Sequence, residues 1–112
     1  MTLSTHVLDT AQGRPAAGIA VSLSAAGPGG WVELGRGVTD ADGRIASLLP
    51  ATVPAAPGTT LRLHFELAAY FRSLSAPAFY PHVDIVFTPR DGGHHHIPLL
   101  ISPFGYSTYR GS

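Results

Sequence analysis

Cysteine and lysine are both missing from this 112-residue chain. Without cysteine there is no disulfide, no zinc–thiolate centre and no thiol nucleophile, so stability must come from packing and association. All seven basic residues are therefore arginine, and seven acidic residues balance them. No basic stripe runs along the chain of the kind that neutralises a phosphate backbone, which argues against nucleic acid as a partner. Charged residues amount to only 12% against 45% hydrophobic ones. So little polar material leaves part of the surface of a small fold to be buried against another copy. Long apolar runs are absent too: no stretch approaches the roughly 18 residues of a membrane span. The start, Met1-Thr2-Leu3-Ser4-Thr5-His6, lacks the basic segment and apolar run of a secretory signal. The ending Arg110-Gly111-Ser112 is not the Ser-Lys-Leu peroxisomal address. A cytoplasmic protein with no membrane partner is expected, and the length suits one domain over residues 1–112.

Glycine and proline are plentiful, with 13 and 10 residues, and they punctuate the chain at short intervals that suit many short strands. Leu3 to Asp9 reads as a first strand, closed by Ala11-Gln12-Gly13-Arg14-Pro15. Ile19 to Ala25 and Trp31 to Val38 read as a hairpin about Gly27-Pro28-Gly29-Gly30. Asp40-Ala41-Asp42-Gly43 reads as a tight turn, Arg44 to Leu48 as a short edge strand, and Pro50 to Gly58 as a loop. Thr60 to Glu66 alternates Leu61, Leu63 and Phe65 with Arg62, His64 and Glu66. Leu67 to Ser75 is the one expected helix. Val83 to Thr88, Ile97 to Ile101 and Tyr106 to Tyr109 complete about eight strands, the number and spacing of an all-β sandwich.

Chemistry is expected around the run His94-His95-His96. Side chains alternate across a strand, so His94, His96, Pro98 and Leu100 share one face, and His95, Ile97, Leu99 and Ile101 share the core face. The run lies inside a strand pattern far from either terminus, which argues against a purification tag. A metal site needs three or four converging ligands, whereas this strand supplies two at most, so metal is a minority reading. His6 shares a face with Ser4 and Leu8, away from Leu3, Thr5 and Val7. One such histidine is more often structural than catalytic. Two of them with an arginine at a turn form a more specific constellation, because imidazole exchanges protons near neutrality and arginine offers permanent charge to an oxyanion. Asp40-Ala41-Asp42-Gly43-Arg44 lacks the remaining ligands of a calcium loop, and no Gly-x-Ser-x-Gly elbow activates a serine.

These residues resemble a known family. Leu3-Ser4-Thr5-His6-Val7-Leu8-Asp9-Thr10, followed by Gly13-Arg14-Pro15-Ala16, is similar to the opening signature of the transthyretin-related 5-hydroxyisourate hydrolases. Thr39-Asp40-Ala41-Asp42-Gly43-Arg44 resembles their middle motif, and Ile97 through Ser112, ending Tyr109-Arg110-Gly111-Ser112, their closing signature. The resemblance implies a transthyretin-like β-sandwich and ring-opening hydrolysis of 5-hydroxyisourate in urate breakdown, with no cofactor and no metal. It implies that His6, Arg44 and His96 are catalytic and that these three, with Tyr109 and Ser112, bind the substrate. It further implies a homotetramer, a dimer of dimers, in which a channel lined by Leu8, Pro98, Leu100, Ser107 and Tyr109 completes the site. The division of acid and base roles between His6 and His96 stays open. One departure is visible: the residue between the two family histidines is usually Tyr and is His95 here, a polar group on the core side that needs a partner.

Two other readings compete. A transthyretin-type carrier would use the same channel to bind a ligand without chemistry, and fold alone does not separate the two. The carriers lack the histidine pair, the arginine and the Tyr-Arg-Gly-Ser ending, all kept here. A generic β-sandwich interaction module would be a monomer indifferent to loss of its histidines, which size-exclusion chromatography distinguishes.

Overall fold

The computed structural model of the chain describes residues 1–48 and 55–111, and two β-sheets face each other across its core. The first sheet is organised about β1 (Thr2–Asp9), which pairs in parallel with β8 (His94–Ser102) and antiparallel with two short strands, β2 (Arg14–Pro15) and β5 (Arg44–Ile45). The hairpin strand β9 (Gly105–Thr108) closes that sheet against β8. The second sheet runs β4 (Gly30–Val38), β3 (Ala20–Gly27), β6 (Leu61–Glu66), β7 (His82–Phe87), antiparallel throughout. The one helix, α1 (Ala68–Ser73), connects β6 to β7.

Alternation dictates this arrangement. Leu3 and Val7 of β1, Leu63 and Phe65 of β6, and Leu99 and Ile101 of β8 are fully buried and interlock between the sheets. Each intervening side chain is thereby turned outward. The helix buries Phe71 against the end of this core. Tyr70 beside it donates to Asp9 Oδ2 at 2.7 Å, while Asp9 Oδ1 accepts from the backbone of Ala11 and Gln12. A buried carboxylate is thus satisfied three times over. Burial and the Asp9 hydrogen bond push the Tyr70 hydroxyl up to about 12.

The expected fold is what the structure has, with revisions at the margins. The first strand, the hairpin around Pro28-Gly29 and the alternating Leu61–Glu66 strand all form, and the helix forms over Ala68–Ser73, within the expected segment. Arg14-Pro15, read as turn material, pairs with β1 as a two-residue strand. The edge strand expected over Arg44 to Leu48 is limited to Arg44–Ile45, because only these two residues ladder with β1. Most of the expected Pro50 to Gly58 loop lies outside the described residues. The histidine run belongs to β8, which begins at His94 rather than Ile97. His95 faces the core at 6% exposure, and Asp91 answers its need for a partner, with the carboxylate at 3.3 Å and the backbone carbonyl at 3.2 Å.

On the outer face of the second sheet, His64 lies opposite Asp84 and two residues from Glu66. Its Nδ1 is 2.6 Å from Asp84 and its Nε2 2.5 Å from Glu66. Burial pulls the imidazole down, but hydrogen bonds to Glu66 and Asp84 outweigh it and hold the group above 6.5. A raised folded value means that the pairing stabilises fully below about pH 6.5 and fades as pH rises through the folded value. Asp84→Asn is therefore expected to destabilise the protein more at about pH 6 than at about pH 8.5. Denaturant melts at both values measure this, and equal losses would show His64 to be uncharged in the fold.

Candidate active site

The outward face of β1 carries Thr2, Ser4, His6 and Leu8, and that of β8 carries His94, His96, Pro98 and Leu100. Parallel pairing sets Thr2 opposite His94, Ser4 opposite His96 and His6 opposite Pro98. On the other side of β1, the β5 ladder sets Arg44 opposite His6. Three segments far apart in sequence therefore place His6, Arg44 and His96 on one surface. A concavity of about 360 Å³ opens there, lined by Ser4, Thr5, Arg44, Ile45, Ala46, His94 and His96.

Arg44 is positioned by the Asp40-Ala41-Asp42-Gly43 turn. Asp40 Oδ1 accepts from the backbone N–H of Asp42 at 2.9 Å and of Arg44 at 3.0 Å. This is the side-chain-to-backbone bonding for which aspartate is favoured in turns. Gly43 takes a φ of +75°, and its carbonyl accepts from Val7 N–H at 2.7 Å, so the turn is clamped to β1. A Cβ at Gly43 would overlap the Val7 carbonyl oxygen. The clamp brings the Asp42 carbonyl within 2.9 Å of His6 Nε2. A carbonyl can only accept, so His6 Nε2 carries the hydrogen and Nδ1 is the lone-pair nitrogen of its neutral form.

His96 has a different environment. Ser4 Oγ lies 2.8 Å from its Nδ1 and also 2.8 Å from His94 Nε2, and Thr2 Oγ1 lies 2.6 Å from His94 Nδ1. Burial, and then the neighbouring Arg44, with His6 and His94 behind it, hold His96 below 6.5. Each of these influences disfavours an imidazolium. His96 is thus a neutral base at neutral pH.

The chain's end folds back onto the same strand: Gly111 N–H donates to the His96 carbonyl at 2.8 Å. A Cβ at Gly111 would sit 2.7 Å from His96 Cδ2, so only glycine brings the tail this close. Ser112, expected to bind substrate, lies outside the described residues. Tyr109, expected to do the same, is 60% exposed and lines a separate groove with Ile85, Phe87, His95 and Ile97. The structure therefore brings His6, Arg44 and His96 together, and leaves Tyr109 on another surface of the chain. Reading the sequence missed Ser4 as a partner of both His94 and His96, and Thr2 as a partner of His94. The β1–β8 register that joins them is invisible before folding. Among the described residues, no three His, Asp or Glu side chains converge to hold a metal ion.

A family model described as the HIUase/Transthyretin family matches residues 3–111. The chain belongs to the HIUase/transthyretin family. It is 44% identical to the 5-hydroxyisourate hydrolase of Salmonella typhimurium over 98% of this chain and 80% of that protein. Among solved structures it is similar to Klebsiella pneumoniae 5-hydroxyisourate hydrolase, 41% identical, with a TM-score of 0.84 and both chains covered in full. It is also similar to sea bream transthyretin in complex with thyroxine, 31% identical, with a TM-score of 0.88 over 97% of this chain and 93% of that one. Backbone shape thus favours neither branch of the family, while side-chain identity is higher toward the hydrolases.

Because the turn both clamps β1 and presents the Asp42 carbonyl, Gly43→Ala is expected to cost about 1–3 kcal/mol through its strained φ and the clash. It should also free the His6 ring. Chemical denaturation and the His6 side-chain nitrogen shifts report the two effects, and unchanged values in both would show that the turn does not hold the site.

Proposed function

We propose that this chain hydrolyses 5-hydroxyisourate to 2-oxo-4-hydroxy-4-carboxy-5-ureidoimidazoline in urate breakdown, with His6, Arg44 and His96 as its catalytic and substrate-binding residues. The observation that carries the reading is the meeting of Arg44 with His96 in one concavity, with His6 opposite Arg44 on β1, in a chain whose relatives are named for this hydrolysis. An enzyme that opens an activated ring by hydrolysis needs a base for water and a positive charge for the oxyanion. Both are supplied by this chain's own residues, and no cofactor is invoked.

In the proposed reaction a water molecule loses a proton to a histidine and attacks the ring carbonyl. Arg44 stabilises the charge that gathers on the carbonyl oxygen, and the ring nitrogen leaves with a proton returned by a histidine. The environments divide the work. His6 commits Nε2–H to the Asp42 carbonyl, so its base would be Nδ1, whereas His96 is kept neutral by burial and Arg44. His96 is the better-placed general base, and His6 an orienting group for water or substrate.

Tyr109 and Ser112 are proposed substrate contacts, Ser112 through the tail that Gly111 ties to His96. Leu8 and Leu100, half-buried on the outward faces beside the buried Pro98, fit a homotetramer, a dimer of dimers, in which a second copy roofs the concavity and brings its own Tyr109 nearby. The low charge content supports such a covering. One domain and a cytoplasmic setting complete the proposal. A carrier role is the competing reading, because the backbone likeness to a thyroxine-bound transthyretin does not by itself separate the two.

Acceleration of 5-hydroxyisourate decay, with the substrate generated in place from urate by urate oxidase and followed in the ultraviolet, tests the reaction against its spontaneous background. His96→Ala and Arg44→Ala should each lower turnover by about a hundredfold or more. Near-wild-type turnover would remove that residue from the mechanism. Lifting the arginine charge also relieves the pressure that holds His96 low. The acid limb of the residual activity of Arg44→Gln is therefore expected at higher pH than in the wild type, and a limb that stays in place or moves down would contradict the electrostatic link. A folded protein that gives no acceleration would favour the carrier.

A further inference from the structure

Ser4 stands between two histidines, and its hydroxyl is 2.8 Å from each. A hydroxyl has one hydrogen to donate and lone pairs with which to accept. It can therefore donate to one imidazole only and must accept from the other. If it donates to His94 Nε2, His96 carries its hydrogen on Nδ1 and keeps the Nε2 lone pair. If it donates to His96 Nδ1, His94 Nε2 bears hydrogen and neutral His96 becomes an Nε2–H donor. At the far end Thr2 Oγ1, 2.6 Å from His94 Nδ1, can complete either direction. The four groups form one hydrogen-bonded chain with two polarities.

We infer that Ser4 is a positioning residue that couples His94 to His96, so that protonation of His94 converts His96 from base to acid at the same ring atom. An imidazolium at His94 has hydrogen on both nitrogens. Ser4 must then accept from it and donate to His96 Nδ1, which leaves His96 with Nε2–H.

The coupling is a property of the unliganded chain, and its catalytic consequence rests on the hydrolase reading above. As water attacks, one of its protons passes to His96 Nε2, the His96 Nδ1 proton passes to Ser4 Oγ, and the original Ser4 proton passes to His94 Nε2. The hydroxide electron pair forms the new bond to carbon, and the carbonyl π pair moves to oxygen beside Arg44. The pair on that oxygen then re-forms the carbonyl as the C–N bond breaks, and the C–N pair goes to nitrogen, which takes the proton from His96 Nε2. The chain then reverses: Ser4 returns a proton to His96 Nδ1 and recovers one from His94. Ser4 and both histidines end as they began, and water has been divided between carbon and nitrogen.

The charge balance explains the value of the transfer. Facing the pair are Arg44 from β5, His6 from β1 and the two histidines themselves on β8, while the tail contributes the Gly111 backbone. A cation retained on His96 would sit two β1 positions from His6, the residue opposite Arg44. His94 lies opposite Thr2, two positions further along, or about 7 Å at the strand rise. Passing the proton to His94 moves it away from the guanidinium.

The test compares wild type, Ser4→Ala and Ser4→Thr as intact proteins, with far-ultraviolet circular dichroism and oligomeric state as controls. Histidine side-chain ¹⁵N spectra of the unliganded protein read the tautomers across pH. In wild type and Ser4→Thr, the His96 hydrogen is expected to move from Nδ1 to Nε2 as His94 is protonated, and in Ser4→Ala the two should titrate independently. In turnover, Ser4→Ala should lose about tenfold or more in kcat with KM within about twofold. Its acid limb should move to lower pH, because only His96 protonation then removes the base, and Ser4→Thr should restore both. Ser4→Ala with wild-type tautomers, kcat and pH profile would overturn the inference. An inactive wild type whose His96 tautomer still follows His94 would overturn the substrate reading and leave the coupling standing.

Discussion

Eight consecutive residue pairs tie β1 to β8 in parallel, from Thr2 opposite His94 to Asp9 opposite Ile101. The two strands lie some ninety positions apart in the chain, and theirs is the one parallel ladder among the described strand pairs. His6 and His96 take their places from this ladder, and Arg44 takes its place from the β5 pairing on the other edge of β1. A one-residue slip of β1 would turn His6 into the core and send Leu3 and Val7 into solvent, and a slip of β8 would do the same to His96 and Leu99. The hydrophobic pattern that buries the core therefore also fixes the register of the site.

Around that ladder, His6 and His96 are held by neutral backbone and hydroxyl groups rather than by a carboxylate. Arg44 is fixed by a turn whose aspartate bonds its own backbone and whose glycine lets the chain bend onto β1. His6 is fixed by the carbonyl of that turn, and the strand bearing His96 is bracketed by Ser4 on one side and the Gly111 backbone on the other. Backbone partners are neutral and do not titrate. The site can thus keep a histidine unprotonated beside an arginine, without an acidic partner to pull it back up. His64 on the opposite sheet presents the contrasting case, since two carboxylates outweigh its burial and raise it. One residue type is tuned in opposite directions by which groups the two sheets set beside it.

The same economy bears on the separation of enzyme from carrier in this family. The backbone overlays a thyroxine-bound transthyretin about as well as a 5-hydroxyisourate hydrolase. Fold alone therefore does not separate the two, and the distinction rests on side chains rather than on the backbone.

Much of this was legible in the residues alone. Alternation over Leu61 to Glu66 and over His95 to Ile101 determined which faces are buried, glycine and proline determined where the strands stop, and the two signatures at the ends carried the family. The turn chemistry of Asp40 and Gly43 was also readable, because those side chains act on backbone within a few positions of themselves. Tertiary structure alone decided that Arg14-Pro15 pairs as a strand, that Arg44 lies opposite His6, and that Tyr109 faces a different groove. It alone brought Ser4 between His94 and His96. The physical reason is one of range. Periodicity and turn preference are local properties that a sequence displays directly, whereas a hydrogen bond between residues ninety apart exists only once a register has been chosen by the packing of the whole core.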